Sequence, residues 1–185
     1  GLQPLEAALR MAELSRRSLL DMGLPSAVAF NDFNLALIRE GLGDMLGAEL
    51  EARRCLERQT EAGTASNWLM RGDTGRVAAA GQLAIVLSQL DRVEDAQAVI
   101  AEATSWTTSW TTSPPSSEAV MSAAYTILDV ACAHCAIANG SLASAREWLA
   151  SARERKDAAW SDEVEVILRR VGRRLEDSES SPSPR

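Results

Sequence analysis

The sequence predicts an all-α fold: antiparallel helical hairpins stacked as a short α-solenoid of about seven or eight helices. Three observations lead there. Apolar residues recur at steps of three and four along most of the chain, no segment sustains the period-two alternation of a strand, and one pattern of small residues returns three times without gaps. The 185 residues are 46% hydrophobic and 24% charged, enough apolar material for the core of one domain or one short repeat array.

Leu2, Leu5, Leu9, Ala12 and Leu19 outline a first helix, with Pro4 in its first turn and Gly23 at its end. Pro25 and Ser26 open a second that carries Phe30, Phe33, Leu37 and Ile38 towards Gly43. A third spans about Asp44 to Ala62, with Leu46, Leu50 and Leu56 facing inward. Gly72 to Gly75 read as a turn before a fourth helix bearing Val77, Ala80, Leu83, Ala84 and Leu87. Asp91 breaks that run, and Val93, Ala96, Val99 and Ile100 begin a fifth. Residues 104–117, TSWTTSWTTSPPSS, are rich in hydroxyl and β-branched side chains and end in paired prolines, which predicts a loop. From Glu118 a sixth helix holds Val120, Ala124, Ile127, Leu128, Ala131 and Ile137 up to Gly140. Ala145, Trp148, Leu149 and Ala152 mark a seventh, and Val164, Ile167, Leu168 and Val171 an eighth. The helical domain is thus 1–175, and the polar tail 176–185, EDSESSPSPR, is expected to be disordered.

The turns Gly43 to Ala48, Asp91 to Ala96 and Gly140 to Ala145 superpose in the sequence. Twelve residues before each final alanine stand Ala36, Ala84 and Ala133; seven after it stand Cys55, Ala103 and Ala152. Small side chains at these offsets let two helices joined by a tight turn approach closely. The pattern resembles the tetratricopeptide repeat (TPR) over roughly residues 5 to 155. That family's paired first-helix positions fall on Leu35 and Ala36, Leu83 and Ala84, Cys132 and Ala133. Its unit is 34 residues, whereas Ala48, Ala96 and Ala145 are 48 and 49 apart, and its aromatic positions and terminating proline are mostly absent. The segment LGDMLGAELEARRCLERQTEAG is similar to the longer-helix repeats in sensor regions of bacterial signalling ATPases and MalT-like regulators.

A net charge of −7 repels phosphate backbones, so direct nucleic-acid binding is not expected. No uninterrupted apolar run approaches ~18 residues and the first residues lack a basic-then-apolar layout, so neither a membrane span nor a secretory leader is expected. Cys55, Cys132 and Cys135 are odd in number and read as reduced thiols in a cytoplasmic setting. Cys132-Ala133-His134-Cys135 has metal-ligand residue types, but on a helix His134 points away from the two cysteines, so no metal site is read there. The carboxylates are spread over helix faces, and Gly72-Asp73-Thr74-Gly75 has no lysine and follows no strand. No cofactor and no catalytic set follow, and an enzyme is not expected. Arg169, Arg170, Arg173 and Arg174 read as complements to the end of the last helix, paired back to Asp162, Glu163 and Glu165.

In a hairpin stack the first helices line the concave side, here residues near 26 to 42, 76 to 90 and 118 to 139. Asn31, Asn34, Arg39, Arg76, Gln82 and Gln89 are the candidate groove contacts, and Trp106 and Trp110 are candidate loop contacts or core indoles. The expected partner is a protein or peptide held by shape and hydrogen bonds, and homo-oligomerisation stays open. The alternative is a ligand-sensing regulatory module with a pocket among Trp68, Arg71 and Arg76.

Overall fold

In the computed structural model the helical periodicity resolves into α1 (Gln3–Asp21), α2 (Pro25–Leu42), α3 (Met45–Glu61), α4 (Gly72–Gln89), α5 (Val93–Thr107), α6 (Glu118–Ala138), α7 (Leu142–Lys156) and α8 (Asp162–Ser180). The structure describes residues 3–61, 72–108, 118–156 and 162–180, and no strand occurs among them. The fold is all-α.

The short connections share one backbone device. Gly23, Gly43, Asp91 and Gly140 all sit at positive φ, 67°, 81°, 59° and 72°. Glycine enters that left-handed region without a Cβ penalty, and aspartate is among the few other residues that tolerate it. In each turn the next residue's N–H reaches back five positions: Leu24 to Leu19 O, Asp44 to Arg39 O, Arg92 to Leu87 O and Ser141 to Ala136 O. These bonds satisfy carbonyls that the helix end would otherwise leave open. Each following helix then starts at the same place, with Ala48 N bonded to Asp44 O, Ala96 N to Arg92 O and Ala145 N to Ser141 O.

Three hairpins result, α2/α3, α4/α5 and α6/α7, with α1 packed on α2, and α8 on α6 and α7. Ala36, Ala84, Ala133, Ala48, Ala96, Ala145, Cys55, Ala103 and Ala152 are each at most 1% exposed. The small residues of the repeat therefore all lie inside the protein. The hairpins are not stepped uniformly. α4 packs on the preceding α3, whereas α6 lies mainly along α4 and meets α5 far less. Gly81 permits this, because a Cβ there would stand 2.8 Å from Ile127 Cγ2 and 3.3 Å from the Ile127 backbone. Squeezed between α3, α5 and α6, α4 is buried on nearly every side from Thr74 to Ser88. Met121–Ala138 of α6 is long and apolar enough to cross a membrane, although no uninterrupted apolar run in the sequence suggests it; 67% of that stretch is buried within the protein.

Several expected boundaries and faces change. Gly72 to Gly75 form the first turn of α4, not a loop before it. Thr104 to Thr107 belong to α5, because Thr104, Ser105 and Thr107 donate their hydroxyls to Ile100 O, Glu102 O and Thr104 O and so stay within the helix. The rest of the expected 104–117 loop beyond Thr108 lies outside the described residues. On α3, Leu46 and Leu50 point outward, at 73% and 49% exposed. The buried face is Ala48, Ala52 and Cys55, since only small side chains fit the tight crossing with α2. Glu176 to Ser180, expected in the tail, form the last turns of α8, where Glu179 pairs with Arg146 of α7 at 2.8 Å; residues 181–185 lie outside the description.

Candidate functional site

Two polar clusters lie inside the helical layers, and both rest on side chains that periodicity alone does not single out. The first ties α1 to the α2/α3 hairpin. Asp32 is fully buried on α2, with Arg58 Nε donating to its Oδ2 at 2.8 Å. Arg16 of α1 lies 3.1 Å from the other oxygen, poorly aligned for a hydrogen bond, and donates to Glu51 of α3 at 2.8 Å. Burial pushes the Asp32 carboxyl above its usual range, and Arg16 and Arg58 only partly offset it. Arg39, a sequence-proposed groove contact, belongs to this side as well. It faces α1 and pairs with Glu13 and Asp44 at 3.1 and 2.6 Å.

The second cluster lies between α2, α4 and α8. Glu40 accepts from Gln89 Nε2 at 2.8 Å, from Gln82 Nε2 at 3.3 Å, and faces Arg170 Nη1 at 3.0 Å. Arg170 also donates to the main-chain carbonyl of Leu37 at 3.2 Å. One turn on, Arg174 donates to His134 Nδ1 at 3.0 Å. A guanidinium has no acceptor, so His134 is neutral with its proton on Nε2. Complete burial, reinforced by Arg174, pushes its pKa down to about 3. Arg170 and Arg174 thus work inside the fold, correcting the expectation that all four arginines complement the helix end; Arg169 does pair with Glu165 at 3.0 Å.

The sequence-proposed contacts divide accordingly. Gln82 and Gln89 meet at Glu40, but Gln82 is wholly buried, so neither is a free groove side chain. Asn31 is also buried, its Oδ1 without a hydrogen-bond partner, and Asn34 is half-buried on the same helix. Arg76 stacks over the Trp106 ring at 3.6 Å from its centroid, joining the start of α4 to the end of α5. Trp106 is therefore a helix residue in an intramolecular stack. Trp110, Trp68 and Arg71 lie outside the described residues. Glu40 and Asp32 escaped the sequence reading, while Glu51, Arg170 and His134 were read without their buried partners. One signal was present: Gln82 and Gln89, seven apart on an apolar helix, share a face that demands a polar partner.

The thiols are free. Burial pushes Cys55 far above the ordinary thiol value, and raises Cys132 and Cys135 to about 12 and about 11. Such thiols are poor nucleophiles at neutral pH. No group of three or more His, Cys, Asp or Glu side chains among the described residues is placed to hold a metal ion. Between α7 and α8 lies an open cavity of about 680 Å³, lined by Arg153, Glu165, Leu168, Arg169, Gly172, Arg173 and Glu176. Comparison with family models, characterised proteins and solved structures finds no match.

Proposed function

We propose that the chain is a non-enzymatic protein–protein interaction module built as a TPR-like array of helical hairpins. The recurring left-handed turn and the buried small residues at matching offsets support the repeat reading. The interaction reading rests on α1. This helix has no buried residue, and its outward face carries Ala7, Met11, Leu14 and Ser18 at three- and four-residue steps. Met22 and Leu24, in the turn that follows, are exposed as well. The outer face of a stack's end helix is ordinarily polar, and a contiguous apolar patch marks a contact surface. A reducing, cytoplasmic setting suits the three free thiols.

The test compares the wild-type chain with Met11→Asp/Leu14→Asp by in-cell chemical cross-linking and mass spectrometry. Both sites are exposed, so the thermal midpoint should hold while partner cross-links fall at least about tenfold. Unchanged cross-links would discard the reading.

A second reading, as a ligand-sensing module, is favoured by the α7/α8 cavity. Arg153 and Arg173 line it and form no ion pair with a described residue, which suits a small anionic effector. A thermal-midpoint rise with phosphate or citrate that Arg153→Ala/Arg173→Ala abolishes would support it, and no rise in the wild type would remove it.

A further inference from the structure

We infer that the buried Glu40 carboxylate is a guanidinium seat, occupied in the resting chain by Arg170 and open to an arginine side chain presented by a partner peptide. The inference rests on the reading of the chain as an interaction module, but concerns a different face from α1.

Each wall of the seat matches that group. The Glu40 side chain is only 5% exposed, and two amides of α4, Gln82 and Gln89, hold it in place. The remaining direction is filled by Arg170, from a helix 130 residues further along the chain, while Arg174, one turn on, adds a second positive charge within Glu40's field without pairing to it. The Leu37 carbonyl accepts from the same guanidinium nitrogen. Gly41 clears space beside them, since a Cβ there would stand 2.7 Å from Arg170 Nη2. A carboxylate, a carbonyl and a flat clearance suit a planar, multi-donor guanidinium better than a round ammonium.

The occupant is exchangeable by position. The α2 and α8 backbones do not touch; Arg170 crosses the gap as a side chain, while α8 is held against α6 and α7 by Ile167, Leu168, Val171 and Leu175. Arg170 can swing out without releasing the helix that carries it. Its side chain is 22% exposed against 5% for Glu40, so the seat opens to solvent along the arginine. No nearby cation of α2 competes, because Arg39 faces the opposite way, to Glu13 and Asp44. The resident arginine also shows what an incoming peptide must supply: a guanidinium, with apolar neighbours such as Val171 beside it.

The test is complementation in the full-length chain. In Arg170→Ala, millimolar N-acetyl-argininamide should raise the thermal midpoint saturably by several degrees. The wild type, whose seat is filled, should respond little, and Arg170→Ala/Glu40→Gln should not respond. N-acetyl-lysinamide should be at least tenfold weaker. Should Arg170→Ala fail to fold, Arg170→Gln takes its place. A fluorescent peptide of residues 164–180 should bind Arg170→Ala at least tenfold more tightly than the wild type, and should lose that gain when its own residue 170 is alanine. No response to the arginine probe, or the same response without Glu40, overturns the seat. A peptide that binds equally well without its arginine overturns the seat yet leaves the interaction reading standing. A probe that binds at Glu40 while no variant binds the peptide overturns the partner role, and the α1 cross-linking result then decides separately on the interaction reading.

Discussion

The two end helices dock by opposite physics. α1 buries no residue fully; its half-buried Leu5, Leu9, Ala12 and Leu19 face α2, and charge does much of the holding through Arg16 and Glu13. α8 buries Ile167, Leu168, Val171 and Leu175, and its arginines add directed contacts to an apolar seal. An end held by ion pairs should respond to salt, whereas an apolar end should yield to loss of volume or to the charging of a buried group. The partly apolar outward face of α1 and the filled inward face of α8 follow the same division.

Acid should separate the ends most strongly. The pKa of His134 is depressed from 6.5 to about 3, so its contribution is fully present above pH 6.5 and is lost as pH falls towards 3. Each unit of displacement corresponds to about 1.4 kcal/mol, so the total loss is on the order of several kcal/mol. Asp32 has the opposite sign: its raised folded pKa means its contribution is present below about 3.8 and is lost as pH rises through the folded value. Acid should therefore weaken the α8 side through His134 while Asp32 does not unlatch α1. Denaturation measured from pH 7.5 to 4 should show a falling limb that His134→Gln flattens; an unchanged limb would assign acid sensitivity elsewhere.

Volume loss comes next. Leu168→Ala on α8 should cost about 3 kcal/mol, while Leu14→Ala on α1 should stay within about 0.5 kcal/mol. Equal urea midpoints for the two variants would erase the contrast. Removing the buried carboxylate follows. Asp32→Ala should cost about 2 kcal/mol, less than for a fully enclosed pair, because Arg16 and Arg58 remain partly in water. Hydrogen exchange should then quicken in α1 before α8; uniform quickening would make Asp32 a general core residue. The smallest effect is ionic strength. Raising sodium chloride to about 0.5 M should loosen α1 by under about 1 kcal/mol and leave α8 protected.

Much of the local structure was legible because it depends on short-range rules. Gly43, Asp91 and Gly140 mark positions that only a few residue types tolerate, and the turns formed there. Ala36, Ala84 and Ala133 read as small positions that let helices approach closely, and all three are buried. Leu46 and Leu50 misled because hydrophobicity alone does not identify the crossing face; on α3, close approach required alanines, and the leucines were left outside. The hydroxyl run after Ala103 reads as a helix breaker until its side chains bond back to their own helix. Of the candidate site, the glutamines and Arg76 were visible as polar residues on first helices, but not what they would face.

The sequence by itself determined helix type, most helix ends and the small residues that end up buried, because each depends on residues within a turn or two of one another. Tertiary structure alone decided that α6 lies mainly along α4 rather than α5, and that Arg170 meets Glu40 across 130 positions. It also decided that Asp32 and His134 are stripped of water. Those outcomes depend on which faces remain to be covered once the hairpins have formed, and on side chains long enough to cross between helices whose backbones do not touch. No local period encodes either.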